Sequence, residues 1–160
     1  MLRTCRPSDA MQICAIYNHY VRDTVVTFEE APVDDDEMAQ RIVEVTQRQP
    51  WLVWEEEGVI QGYAYATAWK TRSAYRHSVE STVYLSPSAT GRGLGTQLYQ
   101  ALIADLRDRD THCIVGGISL PNAASVALHE KLGFKRIGQF SEIGWKFGRW
   151  VDVGYWQRVL

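Results

Sequence analysis

The residues with the most chemistry in them run Val79-Glu80-Ser81-Thr82-Val83-Tyr84-Leu85-Ser86-Pro87-Ser88-Ala89-Thr90-Gly91-Arg92-Gly93-Leu94-Gly95-Thr96. Glycines at 91, 93 and 95 flank the start of a run with leucines at 94, 98, 102 and 106, the spacing of an amphipathic helix. Glycines let the backbone approach a ligand closely, and a helix N-terminus turns unpaired N–H groups outward. Gly91, Gly93, Leu94, Gly95 and Thr96 therefore read as an anion cradle, with Arg92 adding a full positive charge. A phosphate or diphosphate suits it. No Lys follows Gly95 as a P-loop requires, and GxGxG is not the GxGxxG of a dinucleotide-binding turn. Taken alone, the segment is equally a plain glycine-rich helix start.

Glu80 lies mid-strand in this stretch. Strand alternation groups it with Thr82 and Tyr84, opposite Val79, Ser81, Val83 and Leu85. It is either a solvent-facing strand carboxylate or a general base. Downstream, Asn122 opens a second helical pattern that carries Ser125, Leu128, His129 and Glu130 and stops at Gly133. His129 is either a packed helix residue or an acid poised near neutral pH. Lys70, Thr71, Arg72 and Arg76 occupy the loop before Glu80. Arg is suited to bidentate capture of a carboxylate, although loop charges are commonly just solvated. Phe28, Trp69 and Tyr75 suit an aromatic wall or the core.

These residues need positioning elements, and the patterning supplies a mixed α/β set. Residues 2–5 read as a short strand. Ser8 caps a helix to about Val21 with Met11, Cys14, Tyr17 and Val21 on one face. Val25–Glu30 reads as an extended loop, and a helix from about Asp35 to Arg48 buries Met38, Ile42 and Val45. Its acidic start, Asp34-Asp35-Asp36-Glu37, complements the helix dipole. Trp51–Glu55 and Val59–Trp69 form a hairpin through Glu57-Gly58. Strand 79–85, helix 94–108, strand 113–118, helix 122–132 and strands 134–139 and 151–159 complete the chain. The helix between strands 79–85 and 113–118 makes those two a parallel pair; the other connections read as hairpins. At 160 residues this is one domain, residues 1–160, within the roughly 100–200 residues usual for one.

The glycine segment resembles the cofactor signature of the GNAT superfamily of N-acetyltransferases, Gln/Arg-x-x-Gly-x-Gly/Ala, with Gly93 and Gly95 on its glycines and Thr90 in place of the Gln/Arg. The run Asn122…Ser125…His129-Glu130-Lys131-Leu132-Gly133-Phe134 resembles the family's second cofactor-contacting helix. Ile16-Tyr17-Asn18, Val79–Tyr84, Leu120-Pro121-Asn122 and Gly148-Arg149-Trp150-Val151-Asp152-Val153-Gly154-Tyr155-Trp156-Gln157 resemble the phosphinothricin and methionine-sulfoximine acetyltransferases.

The resemblance implies a GNAT fold: a mostly antiparallel mixed sheet with a splayed parallel strand pair, flanked by helices. It implies transfer of an acetyl group from acetyl-CoA to the amine of a small amino-acid-like substrate, with no metal. It implies Glu80 as the proton acceptor and backbone N–H groups of Val83, Tyr84 and Leu85 toward the acetyl and pantetheine groups. Gly91–Thr96, Asn122 and Ser125 would hold the cofactor, His129 would serve as acid, and Phe28, Lys70, Thr71, Arg72, Arg76 and Glu80 would contact substrate. Lys70-Thr71-Arg72 departs from the Arg-x-aromatic pattern of the sulfoximine enzymes. A homodimer is also implied, and aromatic residues 145, 147, 150, 155 and 156 read as its face or as edge-strand packing. Two alternatives stay open: acetylation of peptide N-termini or amines, and a non-catalytic acyl-CoA sensor.

Net charge is −2, so no nucleic-acid or anionic-membrane footprint is expected. Cys5, Cys14 and Cys113 are odd in number and form no CxxC, against disulfides or zinc. The N-terminal residues carry no apolar signal core, and no run approaches the ~18 apolar residues of a membrane span. A cytoplasmic protein is expected.

Overall fold

Leu94, Leu98, Leu102 and Leu106 form one buried stripe, as their spacing requires, and that stripe packs on a sheet. In this computed structural model, which describes residues 1–160, the strands are β1 (Leu2–Thr4), β2 (Trp51–Glu56), β3 (Val59–Ala68), β4 (Ser78–Leu85), β5 (Cys113–Leu120), β6 (Lys135–Lys146) and β7 (Arg149–Val159). The helices are α1 (Ala10–Asp23), α2 (Asp35–Thr46), α3 (Leu94–Asp108) and α4 (Ala123–Lys131). The seven strands form one sheet in the order β1-β2-β3-β4-β5-β7-β6. The β4–β5 pair is parallel and the other neighbours are antiparallel.

Two cores share this sheet. Helices α1 and α2 bury Ile13, Val21, Met38 and Ile42 against Trp51, Val53, Tyr63 and Tyr84. On the other face α3 buries its leucines against Leu52, Ala64, Ala66, Val79 and Ile114. The alternation in β4 is as expected: Tyr84 points to the α1 side, and Val79 with Val83 and Leu85 to the α3 side. Glu57 and Gly58 both have positive φ (50° and 80°), the two-residue turn whose twist matches a hairpin.

Some local expectations are corrected. Ser8 caps nothing; a short turn at Pro7–Asp9 precedes α1, and the Asp9 carboxylate accepts from the Arg6 backbone N–H at 2.8 Å. Met11 is exposed, because α1 turns Ile13, Ile16 and Tyr17 inward beside Cys14 and Val21. The final hairpin is longer than its apolar pattern suggested: β6 continues to Lys146 and β7 begins at Arg149, the ladder running out to the Lys146–Arg149 pair. The β5-to-β6 connection is not a hairpin, since β7 inserts between them.

Candidate active site

The site begins where a ladder ends. β4 and β5 pair only from Ser78 with Cys113 to Glu80 with Val115. Beyond that point β4 stays with β3 as far as Leu85, while β5 stays with β7 as far as Leu120. The sheet therefore forks. Trp69 N–H donates to the Ser78 carbonyl and Ser86 N–H to the Gln61 carbonyl, so even-numbered β4 residues spend their backbone groups on β3. By the same alternation Val83 and Leu85 turn their N–H groups toward the open fork, while Tyr84 faces β3. The Tyr20 hydroxyl takes the Leu85 carbonyl at 2.6 Å.

A cavity of about 370 Å³ fills the fork, lined by Glu80, Thr82, Val83, Tyr84, Asn122, Ser125 and His129 among others, with Phe28, Ile143, Val153 and Tyr155 on its outer wall. Glu80 is half-buried at the closed end. Burial raises its carboxyl above the usual range, and the positive charge of Lys70 partly offsets this. A carboxylate moved upward in this way is better matched to accepting a proton near neutral pH.

His129 lies on the α4 side of the fork and is 4% exposed. Its Nδ1 is 2.7 Å from the Ser125 carbonyl, which can only accept, so Nδ1 carries the proton. Nε2 then accepts from the Tyr99 hydroxyl at 3.0 Å, and that hydroxyl also meets Ser81 Oγ. Burial holds the imidazole below its ordinary value. His129 thus borders the cavity as a neutral ring engaged at both nitrogens, with no unengaged N–H for the acid role expected of it.

The cradle has the geometry its sequence suggested. Gly91 and Gly93 have φ of 74° and 79°, and a Cβ on either would meet nothing within 4 Å. Only backbone conformation demands glycine there, and the space above the turn is open. Gly93 is the α3 N-cap, and no side chain caps it. The first helical bond runs from the Gln97 N–H to the Gly93 carbonyl, so the Leu94, Gly95 and Thr96 N–H groups are the helix's unspent donors. These fit a diphosphate. Gly95 is different: it packs against Leu128 and Leu85. Arg92 is not free, because its guanidinium holds both Glu56 oxygens at 2.9 Å. Thr90 bonds the Pro87 carbonyl. Asn122 caps α4 through its side-chain oxygen on the Ser125 N–H at 3.1 Å, leaving its amide nitrogen for a ligand.

The expected substrate residues separate. Phe28 lines the cavity. Lys70, Thr71, Arg72 and Arg76 stay outside its lining, on the exposed loop between β3 and β4. Trp69 and Tyr75 line a neighbouring cavity on the same side of the sheet as Glu80; Tyr155 forms the wall common to both. Trp145, Phe147 and Trp150 are exposed, whereas Trp156 is buried.

Three features escaped sequence reasoning. A Cβ on Gly116 would lie 2.6 Å from His129 Nε2, and one on Gly117 would crowd Tyr155 and the Glu80 carboxylate. The consecutive glycines thus admit one candidate residue against each face of β5, and two glycines inside an apolar strand were the available signal. Tyr155 was visible only as one of several aromatics. Lys146 is 1% exposed, and nothing in its local pattern marks an ammonium for burial.

Comparison with known proteins gives a consistent picture. Residues 2–154 match the family described as acetyltransferase (GNAT) domain. The chain is 41% identical over 157 residues to a phosphinothricin N-acetyltransferase of Streptomyces viridochromogenes, covering 98% of this chain and 86% of that protein. It is 39% identical over 163 residues to an L-methionine sulfoximine/L-methionine sulfone acetyltransferase of Salmonella typhimurium, covering 99% and 94%. Among solved structures, a GNAT superfamily phosphinothricin acetyltransferase from Sinorhizobium meliloti in complex with AcCoA superposes with a TM-score of 0.96 at 38% identity, covering 100% of this chain and 88% of that one.

Proposed function

The chain belongs to the GNAT acetyltransferase family and is an N-acetyltransferase, and on that premise we propose that it transfers the acetyl group of acetyl-CoA to the α-amino group of a small amino acid of the methionine sulfone, methionine sulfoximine or phosphinothricin type. The observation that carries the reading is the position of Glu80. It sits where the β4–β5 ladder opens, on a cavity into which the neighbouring Val83 backbone turns a donor.

Acetyl-CoA, when bound, supplies the thioester acyl carbon. The unspent N–H groups of Leu94, Gly95 and Thr96, the α3 dipole and a released Arg92 favour its diphosphate, and the Asn122 amide with Ser125 lines the arm of the cavity beyond. Val83 and Leu85 N–H groups favour negative charge on the acyl oxygen. An α-ammonium brings three protons. Glu80 accepts one and returns it to solvent, one ends on the departing sulfur, and one remains on the amide. His129 contributes by fixing Ser125 at the wall and the buried Tyr99 hydroxyl behind it; the sulfur's proton comes from the amine itself. Lys70, Arg72 and Arg76 supply a cationic rim for the substrate carboxylate, with the Thr71 hydroxyl beside them.

A homodimer is part of this reading. β6 is an uncovered edge strand, and Ile137, Phe140, Ile143, Trp145, Phe147 and Trp150 are each more than half exposed on its hairpin, an apolar concentration that invites a second copy. No helix is long and apolar enough to cross a membrane. Three unpaired cysteines, with Cys5 and Cys14 pushed up to about 12 by burial, suit the cytosol.

The test is a thiol-release assay with acetyl-CoA against amino acids, methionine sulfone, methionine sulfoximine, phosphinothricin, peptides and polyamines. Turnover with the first group supports the reading. Turnover only with peptides or polyamines moves the substrate, and none at all, with acetyl-CoA still bound, leaves a sensor.

A further inference from the structure

Lys146 is among the most buried side chains of the protein, yet it has no carboxylate partner. Its ammonium donates to the Thr27 carbonyl at 2.7 Å and lies 3.5 Å from the Tyr20 carbonyl, in the last turn of α1. The helix dipole favours a cation there. The face of Phe147 lies 5.0 Å away, and Glu29 and Glu30 are the negative groups that oppose the loss of its charge by burial. Such a group is costly to bury, so its position demands an account.

The account lies in what Thr27 belongs to. Residues 24–34 join α1 to α2, and Val26, Thr27 and Phe28 of that segment form one wall of the cavity that holds Glu80. The segment has little regular structure of its own. It is tied on one side by the Tyr17 hydroxyl to Thr27 and Glu29, and by a two-point Arg41–Glu29 pair. On the other side the tie is Lys146. Two residues before Lys146, Gly144 allows β6 to approach so closely that a Cβ would enter the Phe28 ring. Gly144 and Lys146 alternate onto the same face of β6, one receiving the Phe28 ring and the other the Thr27 carbonyl.

We propose that Lys146 is a positioning residue for the amine substrate, clamping the 24–30 segment to the β6–β7 hairpin so that Phe28 stands opposite Glu80. This rests on the reading of that cavity as the amine site. Its signature is a split between the two substrates. The acetyl-CoA cradle sits at the start of α3, and neither Lys146 nor Phe28 touches it.

The experiment compares wild type with Lys146→Met, which keeps length and apolar bulk but loses the charge and its donors. Hydrogen exchange read by mass spectrometry should rise at least about tenfold in peptides covering 24–30 and stay unchanged in α3 and β4. With methionine sulfone, KM for the amine should rise about tenfold while KM for acetyl-CoA stays within about twofold. In a Phe28→Ala background, Lys146→Met should add no further rise in amine KM, because one acts through the other. Should Lys146→Met not fold, Gly144→Ala displaces Phe28 with the ammonium left in place and must give the same KM split. Unchanged exchange in 24–30, equal rises in both KM values, or multiplicative effects of the two substitutions overturn the clamp. Absence of turnover with every amino acid, alongside selective exchange in 24–30, overturns instead the assignment of the cavity and with it the link from clamp to substrate.

Discussion

Glu80 and Val115 are the last residues to pair across β4 and β5, so the candidate base sits at the vertex of the fork. At the vertex the Glu80 carboxyl is half-buried yet borders the open cavity, which is why it is both raised and reachable. Glu80→Gln keeps the shape and removes the proton acceptor. It should lower kcat by ~10²–10⁴-fold with acetyl-CoA affinity intact, measured by thiol release and calorimetry.

The pH dependence follows from the same residue. Only the ionised carboxylate accepts a proton, so activity should rise with pH through a midpoint above the usual carboxylate range. Lys70 holds that midpoint down. Lys70→Met removes the favourable charge, and the acid limb of kcat/KM should move to higher pH. A pH–rate profile in which the limb moves down or stays fixed contradicts the assignment.

Arg92 and Glu56 form an exposed pair in front of the cradle. A diphosphate must compete with Glu56 for this guanidinium. Glu56→Gln should therefore lower KM for acetyl-CoA, while Arg92→Ala should raise it by about tenfold, about 1.4 kcal/mol. Salt should weaken the Arg92 contribution, since an exposed interaction is screened at ionic strengths near 0.1 M. The amine KM should not respond to either change.

His129 gives a prediction about stability. Burial depresses its folded-state value below the ordinary 6.5. As pH falls, the unfolded chain takes up this proton first. The stability provided by the neutral ring is therefore complete above about 6.5 and is lost as pH drops below it. His129→Gln keeps a donor and an acceptor without titrating. Its Tm deficit against wild type should shrink between about pH 8 and about pH 5, followed by thermal melts across that range.

Much of this arrangement was legible because it is local. The Leu94–Leu106 stripe, the Glu57-Gly58 turn, the strand phase that separates Glu80 from Ser81 and the cradle at Gly91–Gly95 each depend on residues close in sequence. The resemblance to GNAT enzymes supplied the splay. What stayed hidden depends on partners far along the chain. Lys146 meets Thr27 across 119 positions, and His129 meets Tyr99 across 30. No periodicity marks a lysine whose acceptors are the end of a helix and a loop carbonyl. Gly116-Gly117 was readable as an anomaly, but which side chains it admits requires both faces of β5. For Arg72 and Arg76 the sequence offers suitable chemistry in the adjacent loop but does not say how near the cavity it comes; the structure keeps both side chains outside the cavity lining.

That last point bears on substrate choice. No Lys or Arg lines the cavity; its outer wall is Val26, Phe28, Ile143, Val153 and Tyr155, with the Glu80 carboxylate at the closed end. Phosphinothricin carries an anionic phosphinate on its side chain, which would lose hydration against that wall and be repelled by Glu80. Methionine sulfone is neutral there, and its methyl group suits the apolar wall. The α-carboxylate common to both can remain at the rim, beside Lys70. The kcat/KM for methionine sulfone should exceed that for phosphinothricin by at least about tenfold, about 1.4 kcal/mol of differential stabilisation. Arg72→Ala with Arg76→Ala should affect the two substrates alike if these residues serve only the shared carboxylate. A selective loss of phosphinothricin turnover would mean that the β3–β4 loop folds over the cavity and brings a cation to the side chain.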